Sequence, residues 1–210
     1  MTRYSANMSL LFADLPLLER PRAAAEAGFT RVESWWPFAG PVPAAGEADA
    51  FVDAIDAAGI DLVLLNLDGG DIARGDRGLL ADPSAGERIA RNLDAALDLL
   101  DRTGCALVNA LYGNRPPGVD PALADRVALD RLVAVADAVG ARGSVLVETL
   151  NSVDSPGFPL TDTAVTALVV ARAAERARLG NVGLLVDVYH LATMGADPAA
   201  VLRTHAPLVR

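Results

Sequence analysis

The stretch Ser144-Val145-Leu146-Val147-Glu148 and its counterpart Gly183-Leu184-Leu185-Val186-Asp187 decide how this chain is read. Each is a short aliphatic run without polar alternation, closed by a carboxylate. Strands buried on both faces read as continuous hydrophobic runs, and such strands belong to parallel sheets covered by helices. Four similar runs precede them: 3–6 ending at Asn7, 29–32 at Glu33, 62–65 at Asn66 and 106–108 at Asn109. Every run therefore ends on an amide or a carboxylate. Crossovers between parallel strands are right-handed, which leaves all the strand C-termini on one rim. In (β/α) barrels that rim carries the active site.

Helical segments separate the runs. Ser84-Ala85-Gly86-Glu87 has capping-box spacing, and Ile89, Leu93, Ala96, Leu97 and Leu100 then fall on one helical face, with Gly104 as the stop. Asp120-Pro121 and Asp197-Pro198 each place a capping carboxylate before a proline suited to the first helical turn. A further helix is expected from Thr161 or Asp162 to about Leu179, and others over 15–27 and 47–58. The order is βα repeated six times, with no linker and no change of composition, so residues 1–210 are read as one domain. A doubly wound sheet would place a Gly-rich turn after its first strand. Met8-Ser9-Leu10-Leu11-Phe12 carries no glycine, which favours an α/β fold of the (β/α) TIM-barrel type. A complete barrel has eight units, so the expectation is an incomplete one lacking the last two.

The 210 residues are 52% hydrophobic and carry a net charge of −9. An acidic surface repels a phosphate backbone, so no nucleic-acid partner is expected. No run approaches a membrane span, and no membrane partner is expected. The lone Cys105 opens an apolar strand and reads as a reduced core thiol, which with the absence of a secretory pattern suggests the cytoplasm. A small-molecule substrate is the expected partner, and a homo-oligomer is compatible with the sequence.

Glu148 and Asp187 end adjacent strands, about 4.8 Å apart in a parallel sheet, and could share a hard cation such as Mg²⁺ or Mn²⁺. His190 is placed to hydrogen-bond a substrate oxygen or to ligate the metal. Asn7, Asn66 and Asn109 offer paired donors and acceptors for hydroxyls and carbonyls, and Glu33 shares their rim. Trp35 and Trp36 either wall a pocket or pack beneath helices. Arg115 is the candidate for a substrate carboxylate, because the guanidinium fork matches that group. The segments Gly69-Gly70-Asp71 and Gly75-Asp76-Arg77-Gly78 read as a flexible polar loop after the third strand.

Taken together, Tyr4-Ser5-Ala6-Asn7-Met8-Ser9-Leu10-Leu11-Phe12, Ala27-Gly28-Phe29, Val32-Glu33, Asn66-Leu67, Gly70-Asp71, Arg77-Gly78-Leu79, Val147-Glu148-Thr149-Leu150-Asn151, Pro156-Gly157-Phe158 and Asp187-Val188-Tyr189-His190 make the chain similar to the hydroxypyruvate isomerase family of xylose-isomerase-like TIM barrels. That resemblance implies a divalent-metal-assisted isomerisation of a small hydroxy-oxo acid, hydroxypyruvate to tartronate semialdehyde. It also implies that Glu148 binds metal and transfers the proton, and that Asp187 is a metal ligand. Where many members have histidine on the fourth strand this chain has Asn109. The family's seventh and eighth strands bring a further metal ligand and a second catalytic glutamate, so the chain as written is expected to hold part of that site, to bind metal weakly and to aggregate through its edge strands. Other readings are a 2-oxo-tetronate isomerase, a sugar epimerase or dehydratase of the same superfamily, and an inactive remnant that binds a ligand or partner.

Overall fold

In the computed structural model, which describes residues 4–210, six parallel strands form one sheet in sequence order. They are β1 (Ala6–Asn7), β2 (Arg31–Ser34), β3 (Asp61–Asn66), β4 (Leu107–Asn109), β5 (Ser144–Glu148) and β6 (Val182–Leu185). Arg3, the start of the first apolar run, lies outside the described residues. The last strand ends at Leu185, earlier than the run 184–186 predicts, and Asp187 caps a helix instead.

The helices are α1 (Arg20–Glu26), α2 (Glu47–Ala58), α3 (Gly86–Thr103), α4 (Pro121–Val139), α5 (Thr163–Arg176), α6 (Val188–Thr193) and α7 (Pro198–His205). α2 matches its expected bounds. The helix expected over 15–27 is divided into a 3₁₀ turn, Leu17–Glu19, and α1. Pro21 is the cause: it has no N–H to donate, and its ring would meet the carbonyl four residues back in a continuous helix. The capping box at Ser84 does not form. Asp82 accepts from the Ser84 backbone N–H and hydroxyl, both at 2.8 Å, and starts a 3₁₀ turn that leads into α3. The short α6 was not foreseen, since six residues give too few turns for an apolar period to register.

Between sheet and helices lies one continuous core. Leu65, Val108, Val145, Val147 and Leu184 contribute from the strands, and Leu99, Leu132, Val135 and Val170 from the helices. Cys105 is buried beside them, and burial pushes its thiol up to about 11, which leaves it unreactive at neutral pH. The register pairs Asn7 with Glu33 and Asn66 with Asn109. Between β2 and β3 it slips by one: Val32 faces Leu62 but Glu33 faces Leu64.

At the β6 edge Leu184 is fully buried in the core, and Val209 forms a parallel bridge with it. At the other edge Tyr4, Leu10 and Leu11 are exposed.

The cap of α4 is a test of local design. Asp120 accepts from the backbone N–H groups of Ala122 (2.7 Å) and Leu123 (3.1 Å), with Pro121 next to it. Asp120→Ala leaves these donors unpaired by the side chain and is expected to lower stability by about 1 kcal/mol, read as a lower urea midpoint with an unchanged slope.

Candidate active site

The C-terminal ends of the strands surround an open cavity of ≈ 590 Å³. Asn7, Glu33, Asn66 and Asn109 line it from β1 to β4, and Glu148 lines it from β5. Asp187 and His190 reach it from the start of α6. Trp35 and Trp36 both line it as well; Trp36 is further fixed by a 2.7 Å bond from its Nε1 to the Gly40 carbonyl and an edge contact with Phe38.

Glu148 is at the centre of this arrangement. It is buried, and Asn109 Nδ2 donates to its Oε2 at 3.0 Å. Burial pushes its carboxyl up to about 8; the Asn109 bond opposes this, while Asp187 and Glu33 add to it. Glu33 is raised too, chiefly by burial, with Asn7 opposing and Asp187 adding. The carboxylates of this rim thus crowd one another in a poorly solvated space, and a bound cation would relieve that crowding.

Asp187 is positioned by two roles at once. Its Oδ1 accepts from the His190 backbone N–H at 3.0 Å, capping α6, while one carboxylate oxygen stays within 4.8 Å of ligand atoms on Glu148 and His190. The imidazole tautomer follows from its neighbours. His190 Nδ1 accepts the Asn151 backbone N–H at 3.1 Å, so in the neutral ring the proton is on Nε2. That nitrogen lies 3.9 Å from Glu148 Oε1 and faces the cavity as a donor. Asn151 also donates to Asp154 (3.0 Å), which accepts from the Tyr189 hydroxyl (2.7 Å); these bonds hold the Asp154 carboxyl below its usual range.

Arg115 does not reach the cavity. Both arms of its fork close on Asp125, at 3.0 and 2.7 Å, outside the lining. The arginine that does line the cavity is Arg77, from the loop after β3. That loop is tied down rather than free: Asp71 accepts from Arg74, Asp76 accepts from Asp71, and Gly78 bridges Tyr112. Its sequence signal was glycine-rich polarity, which does not distinguish a tethered loop from a mobile one. His205 closes α7 and is not among the lining residues.

Residues 21–210 match the family model described as Xylose isomerase-like TIM barrel. A Streptomyces coelicolor protein, provisionally named hydroxypyruvate isomerase, is 47% identical over 97% of this chain and 74% of its own length. The 2-oxo-tetronate isomerase of Pectobacterium atrosepticum is 33% identical over 90% of the chain and 69% of its own. The hydroxypyruvate isomerase of Escherichia coli is 27% identical over 94% of this chain and 73% of its own length. Among solved structures, that of a Brucella melitensis protein titled AP endonuclease, family 2 superposes with a TM-score of 0.86 at 28% identity, covering all of this chain and 77% of that one. The chain belongs to the xylose isomerase-like TIM-barrel family, in its hydroxypyruvate isomerase group, and is an enzyme of the isomerase class. No helix among the described residues is long and apolar enough to cross a membrane.

The raised Glu148 carboxyl has a consequence for stability. Between about 4.5, its ordinary value, and about 8, the folded protein holds a proton that the unfolded chain has released. Folding is then favoured by protons, so the metal-free protein is expected to lose stability as pH rises through that window. Melting temperatures at pH 5.5 and 8, with chelator present, read the sign.

Proposed function

We propose that the chain isomerises a small hydroxy-oxo acid, hydroxypyruvate to tartronate semialdehyde, with Glu148 moving the proton. The observation that carries this is the placement of the buried Glu148 carboxyl, held by Asn109 at 3.0 Å, in a 590 Å³ cavity beside Asp187. A carboxylate held beside the reacting carbons can both take and return a proton. Glu148 takes one from the hydroxymethyl carbon and returns it to the adjacent carbon, passing through an enediolate. His190 Nε2–H is a donor for the carbonyl oxygen as that oxygen gains the proton the neighbouring hydroxyl gives up, and Asn109 holds Glu148 in place.

The donor set fits a Mg²⁺ or Mn²⁺ ion. Two carboxylates supply hard oxygens within one ion's reach, whereas the His190 tautomer leaves its cavity-facing nitrogen protonated and outside the ligand set. When bound, such a cation would stabilise the negative charge that develops on the substrate oxygens. Four carboxylates line the cavity, so a phosphodiester backbone is an unsuitable substrate, and a water-soluble metabolite of carbohydrate or glyoxylate metabolism in the cytoplasm suits the site.

The test is incubation with hydroxypyruvate, with and without Mg²⁺ or Mn²⁺, followed by NMR. Metal-dependent appearance of the aldehyde supports the proposal. The 33% identity to a 2-oxo-tetronate isomerase favours a second reading, a four-carbon 2-oxo acid; turnover of that acid with none of hydroxypyruvate would establish it and overturn the first.

A further inference from the structure

The cavity has an imbalance of charge. Glu33, Glu148, Asp154 and Asp187 line it, and an acid substrate would bring one more negative group. Among the described residues that line it, Arg77 is the sole arginine or lysine. Elsewhere in this acidic chain arginines are spent on carboxylates, as in Arg88–Asp68, Arg115–Asp125 and Arg142–Asp101. Arg77 is held differently. Its Nε donates to Ser155 Oγ at 3.0 Å, and its Nη1 donates to the carbonyls of Asp76 (2.8 Å) and Ile72 (3.2 Å). All three acceptors are neutral. Among the described residues no carboxylate forms an ion pair with Arg77, although Asp154 lies near enough to feel its charge, and no hydrogen bond uses its Nη2.

The backbone around it is closely packed. Gly78 has φ +103° and a Cβ there would collide with the Leu111 carbonyl; Gly70 has φ +84°, with the Asp76 side chain in the space a Cβ would take. A guanidinium fixed by neutral groups, with unspent donors and a charge that Asp154 offsets only from beyond ion-pair distance, is preorganised for an anion.

We propose that Arg77 receives the substrate's carboxylate through its Nη2 edge and so selects an acid over an uncharged hydroxyketone of similar size. This rests on the hydroxy-oxo acid reading above and adds to it the residue that sets the substrate's charge. Ser155, on the loop that follows Glu148, is a positioning residue: it ties Arg77 to the strand that carries the proton-transfer group, across 78 residues of sequence.

The experiment uses Trp35 and Trp36, which line the cavity, as fluorescent reporters. Parent, Arg77→Met and Arg77→Lys are titrated at pH 7 in constant Mg²⁺ with hydroxypyruvate and with dihydroxyacetone, its counterpart bearing a hydroxymethyl in place of the carboxylate. Hydrogen bonds to charged groups contribute about 1.5–3 kcal/mol, so Arg77→Met should weaken hydroxypyruvate about 30-fold and leave dihydroxyacetone within about twofold. Arg77→Lys, which keeps the charge without the fork, should fall between. Equal losses for both ligands, or no loss for either, would overturn the assignment and show Arg77 to be a loop buttress or a bystander. If the parent binds a four-carbon 2-oxo acid in place of hydroxypyruvate, the three-carbon substrate falls. The same comparison, made with that acid and its uncharged counterpart, then decides Arg77. A parent that binds no hydroxy-oxo acid at all removes both.

Discussion

Glu148→Gln is expected to keep the fold and reduce turnover at least about 10³-fold. The amide has nearly the volume of the carboxyl and its oxygen can still accept from Asn109 Nδ2, which now donates to Glu148 Oε2 at 3.0 Å. What it loses is the ability to take up a proton and the negative charge that attracts a cation. General acid–base catalysis contributes about 10²–10⁴-fold, and weaker metal binding adds to the loss. A second readout separates chemistry from folding. The parent must hold a buried carboxyl next to Asp187 and Glu33, and this opposes folding above its raised titration. The neutral variant does not, so at pH 8 without metal it should melt no lower than the parent. Turnover within a few-fold of the parent would remove Glu148 from the proposed mechanism, and a lower melting temperature would remove the electrostatic argument.

Asp187→Asn is expected to weaken Mg²⁺ or Mn²⁺ affinity by about two orders of magnitude, with excess Mn²⁺ restoring part of the lost activity. The substitution isolates the charge because asparagine caps helices about as well as aspartate. Its side-chain oxygen can accept the His190 N–H, so α6 and the imidazole stay where they are. Calorimetric titration of the metal reads the effect directly. Unchanged affinity would place the ion elsewhere or nowhere, whereas loss of helix content would show that the cap, not the charge, was changed.

The strands were legible because burial on both faces writes itself as an unbroken aliphatic run, as at 145–147, and because parallel order needs only repetition to be inferred. Their ends were legible to within a residue or two. Asp187 shows the limit: it follows an apolar run, yet the sheet stops at Leu185 and the carboxylate belongs to the next helix. That shift is what lets one residue face the cavity and orient His190. The arginines show a different limit. Arg77 and Arg115 both sit in polar, glycine-containing loops, and nothing local separates them. Their fates depend on groups distant in sequence or in the next helix: Asp125 closes the fork of Arg115, while Ser155 holds Arg77 without neutralising it. The tautomer of His190 was equally unreadable, since it depends on a backbone N–H 39 residues away.

The slip in register between β2 and β3 has a genetic consequence. Side chains alternate across a strand, so neighbouring strands contribute to the same layer only when their alternation is in step. Val63 is the extra residue that brings Glu33 opposite Leu64 rather than one place earlier, and Glu33, Leu64 and Asn66 then share the lining of the cavity. Loss of that one codon would leave net charge unchanged and would keep Glu33 opposite Leu64, because only the residue without a partner is removed. It would make Leu62 the immediate neighbour of Leu64, so that these two buried side chains, now two places apart on one face, would point to opposite faces. For this barrel wall, a three-base deletion at position 63 would therefore disturb packing at the start of β3 and spare the lining, whereas one at position 65 would turn Asn66 away from the face it shares with Leu64.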